Sequence, residues 1–150
     1  MASMQETDEM YMGIAILHSR LSKAKRAQVG ACLVTEHGTI LGGVNGTPRG
    51  MDNTCETVIK TSVPDQLSDM LVTKPEVIHA ELQTILKAAR EGVSCIDATM
   101  YITLAPCIQC AAMMLQAGVK RVVYLQQYRD NSGIELLQES NVMVDCYQQL

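Results

Sequence analysis

The sequence predicts an α/β fold: a five-stranded mixed sheet in a three-layer α-β-α sandwich, with the last three strands parallel. Three observations predict it. The elements run as a helix, two strands joined by a tight turn, and then helices and strands in alternation. The final strands are each separated by a helix, the connection that a parallel pair requires. The chain has 150 residues, 47% of them hydrophobic, which suits a single domain over 1–150 with one core.

The elements follow in order. Residues 8–22 read as a helix, with Met12, Ala15, Ile16 and Leu17 on a common face and Asp8 near the N-cap. Lys23, Lys25 and Arg26 make the next connection basic. Residues 29–34 and 40–44 read as strands joined through Glu36, His37 and Gly38. Residues 42–50 form a glycine-rich loop containing Gly42, Gly43, Asn45, Gly46 and Arg49. Residues 51–77 are polar and mixed, with Pro64 and Pro75; they read as an irregular insertion with one short helix over 64–71. A strong helix spans 78–90, with Ile78, Leu82, Ile85, Leu86 and Ala89 at helical spacing and Gly92 as a stop. A strand over 99–103, a helix over 107–117 stopped by Gly118, a strand over 120–125, a helix over 134–140 and a strand over 142–145 complete the chain.

Composition excludes several classes. No apolar run approaches the ~20 residues of a membrane span, and the polar stretch at residues 5–9 is unlike a secretory leader, so a cytoplasmic protein without membrane attachment is expected. A net charge of −4, with no Trp, no Phe and five Tyr, argues against a polynucleotide-binding face. Such a face relies on clustered cations and stacking aromatics. Six Cys in a cytoplasmic chain point to metal ligands or buried thiols rather than disulfides.

Two segments carry chemistry. One is His79-Ala80-Glu81 at a helix start; the other is Pro106-Cys107-Ile108-Gln109-Cys110 at another. Cys107 and Cys110 share a helical face in a first turn, where free N–H groups favour thiolate. Pro106 suits that turn because it lacks an N–H. His79 adds a nitrogen, and three protein ligands with an open position are the pattern of a catalytic zinc, one per chain. Glu81, two residues from His79, is placed to move protons to and from the reacting atoms. A lone C-x-x-C also fits a redox pair or part of a structural zinc, but a structural site needs a fourth ligand and no second paired motif exists. H-x-E with P-C-x-x-C is the signature of zinc-dependent nucleobase deaminases.

From Met10 to Val144 the chain resembles the deoxycytidylate (dCMP) deaminase family, whose fold is cytidine deaminase-like. The resemblance is carried by Gln28-Val29-Gly30-Ala31-Cys32, by residues 42–50, by His79-Ala80-Glu81-Leu82, by residues 99–107 and by residues 116–124. The zinc motifs mark the superfamily; the glycine–asparagine loop ending in Thr47-Pro48-Arg49-Gly50 narrows it to nucleotide deaminases. The resemblance implies zinc on His79, Cys107 and Cys110, with Glu81 as proton shuttle. It also implies that Asn45 meets the sugar, that the backbone of Ala80 and Ala105 meets the cytosine edge, and that Tyr128 borders the pocket. The basic residues Lys23 and Arg26 are the expected phosphate contacts.

Two departures stand out: Ala105 where the family commonly has Ser, and Gln83-Thr84-Ile85 where it commonly has Asn-Ala-Ile. Some relatives use upstream histidines for a further structural zinc, and residues 64–78 contain no His. The resemblance further implies dUMP production for thymidylate synthesis, activation by dCTP and inhibition by dTTP with Mg(2+), and a homo-oligomer, often a hexamer. Gly42, Gly43, Gly46, Arg49, Lys87 and Arg90 are the expected effector or interface residues, Lys87 and Arg90 lying on one exposed stripe. A tRNA or other polynucleotide deaminase of the same superfamily, and a non-catalytic zinc- or nucleotide-binding protein, are the competing expectations.

Overall fold

The computed structural model describes residues 1–60 and 70–148. The main sheet has five strands in the order β2-β1-β5-β6-β7, where β1 is Gly30–Val34, β2 Ile40–Val44, β5 Thr99–Leu104, β6 Arg121–Gln126 and β7 Met143–Cys146. β1 pairs antiparallel with both β2 and β5, while β5, β6 and β7 run parallel. The strand alternation sorts the core into two layers. Leu33, Met100, Ile102 and Val122 point to one face, where they meet Ala80 and Ala88 of α2 (Ala80–Glu91), Ala111 and Met114 of α3 (Ile108–Ala117) and Leu137 of α4 (Ser132–Glu139). Cys32, Tyr101 and Val123 point to the other, under Met12 and Ala15 of α1 (Met4–Ser19). Successive residues of a strand face opposite layers, so the central strands β1, β5 and β6 are hydrophobic over most of their length.

Three sequence expectations need correction. α1 starts earlier, because Ser3 and Glu6 form a reciprocal capping box; Asp8 lies inside the helix, and Leu17 is exposed. α2 buries Ala80, Glu81, Thr84 and Ala88, whereas Leu86 and Ala89 are exposed. Its inward face is small because the helix packs tightly on β2: a Cβ on Gly43 would lie 2.1 Å from Thr84 Oγ1 and 2.8 Å from the Ala80 carbonyl. Gly42 and Gly43 lie in β2, as the strand expected over 40–44 has them, so the glycine-rich loop starts after Val44; Gly42 makes room for the His18 ring from the other side.

The third correction concerns the insertion. It holds a separate antiparallel hairpin, β3 (Glu56–Ile59) with β4 (Met70–Thr73), in which Glu56 stands opposite Thr73. Of the expected helix over 64–71, residues 64–69 lie outside the described residues, and Met70 and Leu71 are in β4.

Candidate active site and metal centre

The two motifs meet at the N-termini of α2 and α3. His79 and Cys107 are the N-cap residues, with extended backbone (φ −66°, ψ 154° and φ −70°, ψ 167°), so both helices begin one residue later than their ligands. Neither side chain is spent on a conventional helix-capping hydrogen bond. Pro106 accordingly precedes the cap and is fully buried, instead of opening the first turn. Cys110 is the third residue of α3. α4 supports this corner: a Cβ on Gly133 would lie 2.2 Å from the Pro106 carbonyl.

His79 Nδ1 lies 3.2 Å from Cys110 Sγ and 3.7 Å from Cys107 Sγ, and all three ligand atoms fall within 4.8 Å of one another. Tetrahedral zinc with ordinary Zn–N and Zn–S bonds sets N···S at about 3.6 Å. The donor set therefore fits zinc in type, number and spacing. Charge agrees. Hydrogen bonds from the Cys110 thiol and from His79 lower the Cys107 thiol to about 4, so Cys107 is a thiolate at neutral pH. The same thiolate, together with burial, pushes Cys110 far up, leaving a proton that a metal must displace. The bond to Cys107 outweighs desolvation and raises His79.

Glu81, the second residue of α2, is only 3% exposed. Burial raises its pKa, against smaller opposing contributions from backbone and Cys110 hydrogen bonds. Its pKa lies above the ordinary glutamate value, the direction that suits a group exchanging protons beside His79, Cys107 and Cys110.

These groups open onto a cavity of about 410 Å³. His79, Ala80, Glu81, Ala105, Cys107, Asn45, Tyr128 and Arg26 line it, as do Glu56, Thr73 and Arg129. The sequence reading missed the last three. Glu56 and Thr73 lie in the stretch read as irregular; Arg129 follows Tyr128 and stands 5.8 Å from the centroid of its ring.

Asn45 is anchored more firmly than a loop residue would be. Its Oδ1 accepts from the Val29 N–H (3.0 Å) and its Nδ2 donates to the Ala27 carbonyl (2.8 Å), so the amide ties the loop to the lead-in of β1. One amide hydrogen remains for a ligand. Ala105 spends its N–H on the Gln126 carbonyl (2.8 Å), leaving its own carbonyl as acceptor, while the Ala80 N–H belongs to a first helical turn and has no partner within the helix.

The structure separates Lys23 from Arg26. Lys23 faces a second cavity, lined also by His18, Gly43, Asn45, Gly46, Arg49, Gln83, Leu86, Lys87 and Arg90. Among the described residues no carboxylate lines this cavity. Lys87 is half-buried and donates to the Gly42 carbonyl, so it does not share an exposed stripe with Arg90. The departure at Gln83-Thr84 falls on the wall between the cavities: Thr84 Oγ1 bonds the Ala80 carbonyl (2.8 Å), and Gln83 Nε2 donates to the Gly46 carbonyl (3.4 Å).

Known proteins match this arrangement. The family model for the cytidine and deoxycytidylate deaminase zinc-binding region matches residues 5–126. The human deoxycytidylate deaminase is 36% identical over 129 residues, covering 84% of this chain and 68% of that protein. The enterobacteria phage T4 deoxycytidylate deaminase is 35% identical over 148 residues, with 79% and 77% covered. The crystal structure of the cyanophage S-TIM5 dCMP deaminase, in complex with dCMP and dUMP, superposes with a TM-score of 0.83 at 37% identity, over 97% of this chain and 100% of that one. A tRNA:A34 deaminase shares the fold at 20% identity and a TM-score of 0.60. Matched by this family model over residues 5–126 and by relatives 35–36% identical over most of its length, the chain belongs to the deoxycytidylate deaminase family.

Proposed function

We propose that this protein catalyses the zinc-dependent hydrolysis of dCMP to dUMP and ammonia, with residues 1–150 as one catalytic domain and 51–77 as its insertion. The observation that carries the reading is Glu81: a fully enclosed carboxyl group, raised in pKa, against a His/Cys/Cys triad in a nucleotide-sized cavity. Zinc held by His79, Cys107 and Cys110 would supply an acidified water and a Lewis acid. As water adds to the amino-bearing carbon, the Glu81 carboxylate takes one of its protons and delivers it to the ring nitrogen. It then takes the proton left on the new hydroxyl and delivers it to the amine, so that the C–N bond breaks, ammonia leaves and the carbonyl forms. The Ala80 N–H and the Ala105 carbonyl form a donor–acceptor pair suited to the cytosine carbonyl and amino group. Replacing Ser by Ala at 105 leaves that backbone carbonyl in place. The spare Asn45 amide hydrogen suits a sugar hydroxyl, Tyr128 borders the base, and Arg26 with Arg129 supplies charge for the 5′-phosphate.

The deciding experiment scores ammonia release from dCMP, deoxycytidine, CMP, dCTP and a tRNA stem-loop. dCMP is expected to have the highest kcat/KM. Equal use of deoxycytidine would refute the phosphate contacts, and turnover of the stem-loop would favour a polynucleotide deaminase. Absence of ammonia release from every substrate by zinc-loaded protein would leave a binding protein.

Regulation belongs to the second cavity. Lys23, Arg49, Lys87 and Arg90 gather there and, among the described residues, no carboxylate lines the cavity, although Glu91 lies 4.0 Å from Arg90 outside it; this charge distribution suits a triphosphate carried with Mg(2+). We infer that dCTP and dTTP act there, where Asn45 and α2 form the wall shared with the active site. The exposed Leu21 and Leu86 at its edge offer apolar surface to a second copy in a homo-oligomer, with the hexamer as the expected assembly. No helix among the described residues is long and apolar enough to cross a membrane. The product would feed thymidylate synthesis in the cytoplasm.

A further inference from the structure

Arg26 is exposed and sits in a connection without regular structure, among other basic residues. Such a side chain loses considerable freedom when it must hold a phosphate, unless something fixes it beforehand. The hairpin does so. Glu56, 6% exposed, accepts at one carboxylate oxygen from the Lys25 N–H (2.6 Å) and the Arg26 N–H (3.0 Å). Thr73, its opposite in the β3–β4 register, accepts at Oγ1 from Arg26 Nη1 (3.2 Å). One register pair thus holds the arginine at both ends, backbone and guanidinium. Arg26, Glu56 and Thr73 all line the cavity that contains Glu81.

We propose that Glu56 is a positioning residue for the substrate phosphate: through the β3–β4 hairpin it fixes Arg26 at the pocket and so sets the preference for a phosphorylated substrate over the free nucleoside. The inference rests on the monophosphate reading above and deepens it. A carboxylate near a phosphate subsite has an obvious competing role, since its charge opposes the anion. The geometry argues otherwise: the oxygen is turned to two backbone N–H groups, bonds strengthened by its charge, while the guanidinium goes to Thr73. The two roles predict opposite signs. Loss of positioning weakens the use of dCMP; loss of an opposing charge improves it.

The test compares kcat/KM for dCMP with kcat/KM for deoxycytidine, on the same zinc-loaded preparations of wild type, Arg26→Ala, Glu56→Gln, Glu56→Asp and Thr73→Val. Arg26→Ala should lower the dCMP-to-deoxycytidine ratio by about tenfold or more. Glu56→Asp keeps the charge and shortens the reach, whereas Glu56→Gln keeps the reach and loses the charge. Each should lower the ratio by about threefold to tenfold, through KM for dCMP rather than kcat. Thr73→Val, which leaves the hairpin backbone intact, should act in the same direction and more weakly. If Arg26→Ala lowers the ratio but both Glu56 variants leave it unchanged, the positioning role is wrong and the phosphate reading stands. A higher ratio in Glu56→Gln would overturn the inference in favour of charge opposition. An unchanged ratio in Arg26→Ala would overturn the phosphate reading, and this inference with it.

Discussion

Glu81 and Asp8 are both carboxyl groups withdrawn from water, and they occupy opposite ends of the molecule's logic. Asp8, on α1, accepts two parallel hydrogen bonds from the Arg121 guanidinium (both 2.8 Å) and one from the Tyr101 hydroxyl (2.6 Å). Arg121 is held in turn by Asp145 (2.9 Å). Burial alone would raise Asp8, but the bonds from Arg121 and Tyr101 and the arginine's charge outweigh it, and the net shift is downward. Glu81 is more deeply buried, so its desolvation is larger, and no guanidinium answers it; its shift is upward. Paired, a buried acid pins α1 to the start of β6; unpaired by a cation, it stays poised to exchange protons. On the proposed function, the difference separates a structural carboxylate from a catalytic one.

The largest expected effect tests the working side. Glu81→Gln keeps the shape of the side chain and cannot carry protons. Turnover of dCMP should fall by about 10⁴-fold, the upper end of general acid–base effects, because one group serves several transfers. Zinc content should be unchanged and thermal stability undiminished, since an amide is cheaper to bury than a carboxylate. Turnover within tenfold of wild type would erase the distinction drawn between the two acids.

The structural side should respond in the reverse manner. Asp8→Asn leaves the Arg121 guanidinium, 10% exposed in its side chain, without its bidentate partner. Breaking a buried pair typically costs ~3–5 kcal/mol, and the surviving Asp145 bond places this case at the lower end, about 3 kcal/mol by denaturant titration. kcat on dCMP at 20 °C, corrected for folded fraction, should stay within about twofold of wild type, because the staple is at the start of β6 and the active site at the strand ends. A stable Asp8→Asn protein with impaired turnover would contradict the assignment.

Between these extremes lies Gly43→Ala, which presses on the N-terminal turn of α2 and hence on Glu81 itself. The added methyl meets Thr84 Oγ1 at 2.1 Å and the Ala80 carbonyl at 2.8 Å. The hydroxyl can rotate away; the carbonyl cannot. Overpacking of this kind costs ~1–3 kcal/mol. Stability and turnover should decline together, unlike either carboxylate variant. Thr84→Ala in the Gly43→Ala background should recover part of the stability, and no recovery would show that the carbonyl contact dominates.

How much of this was legible beforehand follows from the kind of signal each feature leaves. The gathering of His79, Cys107 and Cys110 beside Glu81 was readable because a helix start constrains which residue types stand three apart, and the sheet because its central strands are apolar on both faces. Glu56 and Thr73 were not, since a two-stranded hairpin outside the main sheet leaves only four-residue strands with exposed Val58, Ile59 and Met70. Periodicity also misread α2: Leu86 keeps helical spacing but is exposed, because Gly43 draws the small face of the helix inward. Lys23 and Arg26 look equivalent in a basic stretch, yet the chain turn between them sends each to a different cavity. Asp8 gave no sign of its partner 113 residues away.

The smallest expected effect is the pH dependence that the two acids impose on folding. Asp8 has a folded pKa below its unfolded value, so its contribution is present above about pH 4, the ordinary aspartate range, and is lost as pH falls through the folded value. Glu81 has the opposite sign: its folded pKa is raised, so its contribution is full below the unfolded glutamate value of about 4.3 and is lost as pH rises through the folded value. In zinc-free protein the two slopes oppose each other. Urea midpoints measured from pH 3 to 8 should therefore rise more steeply with pH in Glu81→Gln than in wild type, and less steeply in Asp8→Asn. The Asp8 component should be smaller than the stability lost in Asp8→Asn. Titration follows only the net shift, in which desolvation opposes pairing, whereas the substitution removes the pairing and leaves Arg121 to bear its own desolvation. Parallel curves for all three proteins would mean that neither acid differs between folded and unfolded chains, and the contrast between them would lose its electrostatic basis.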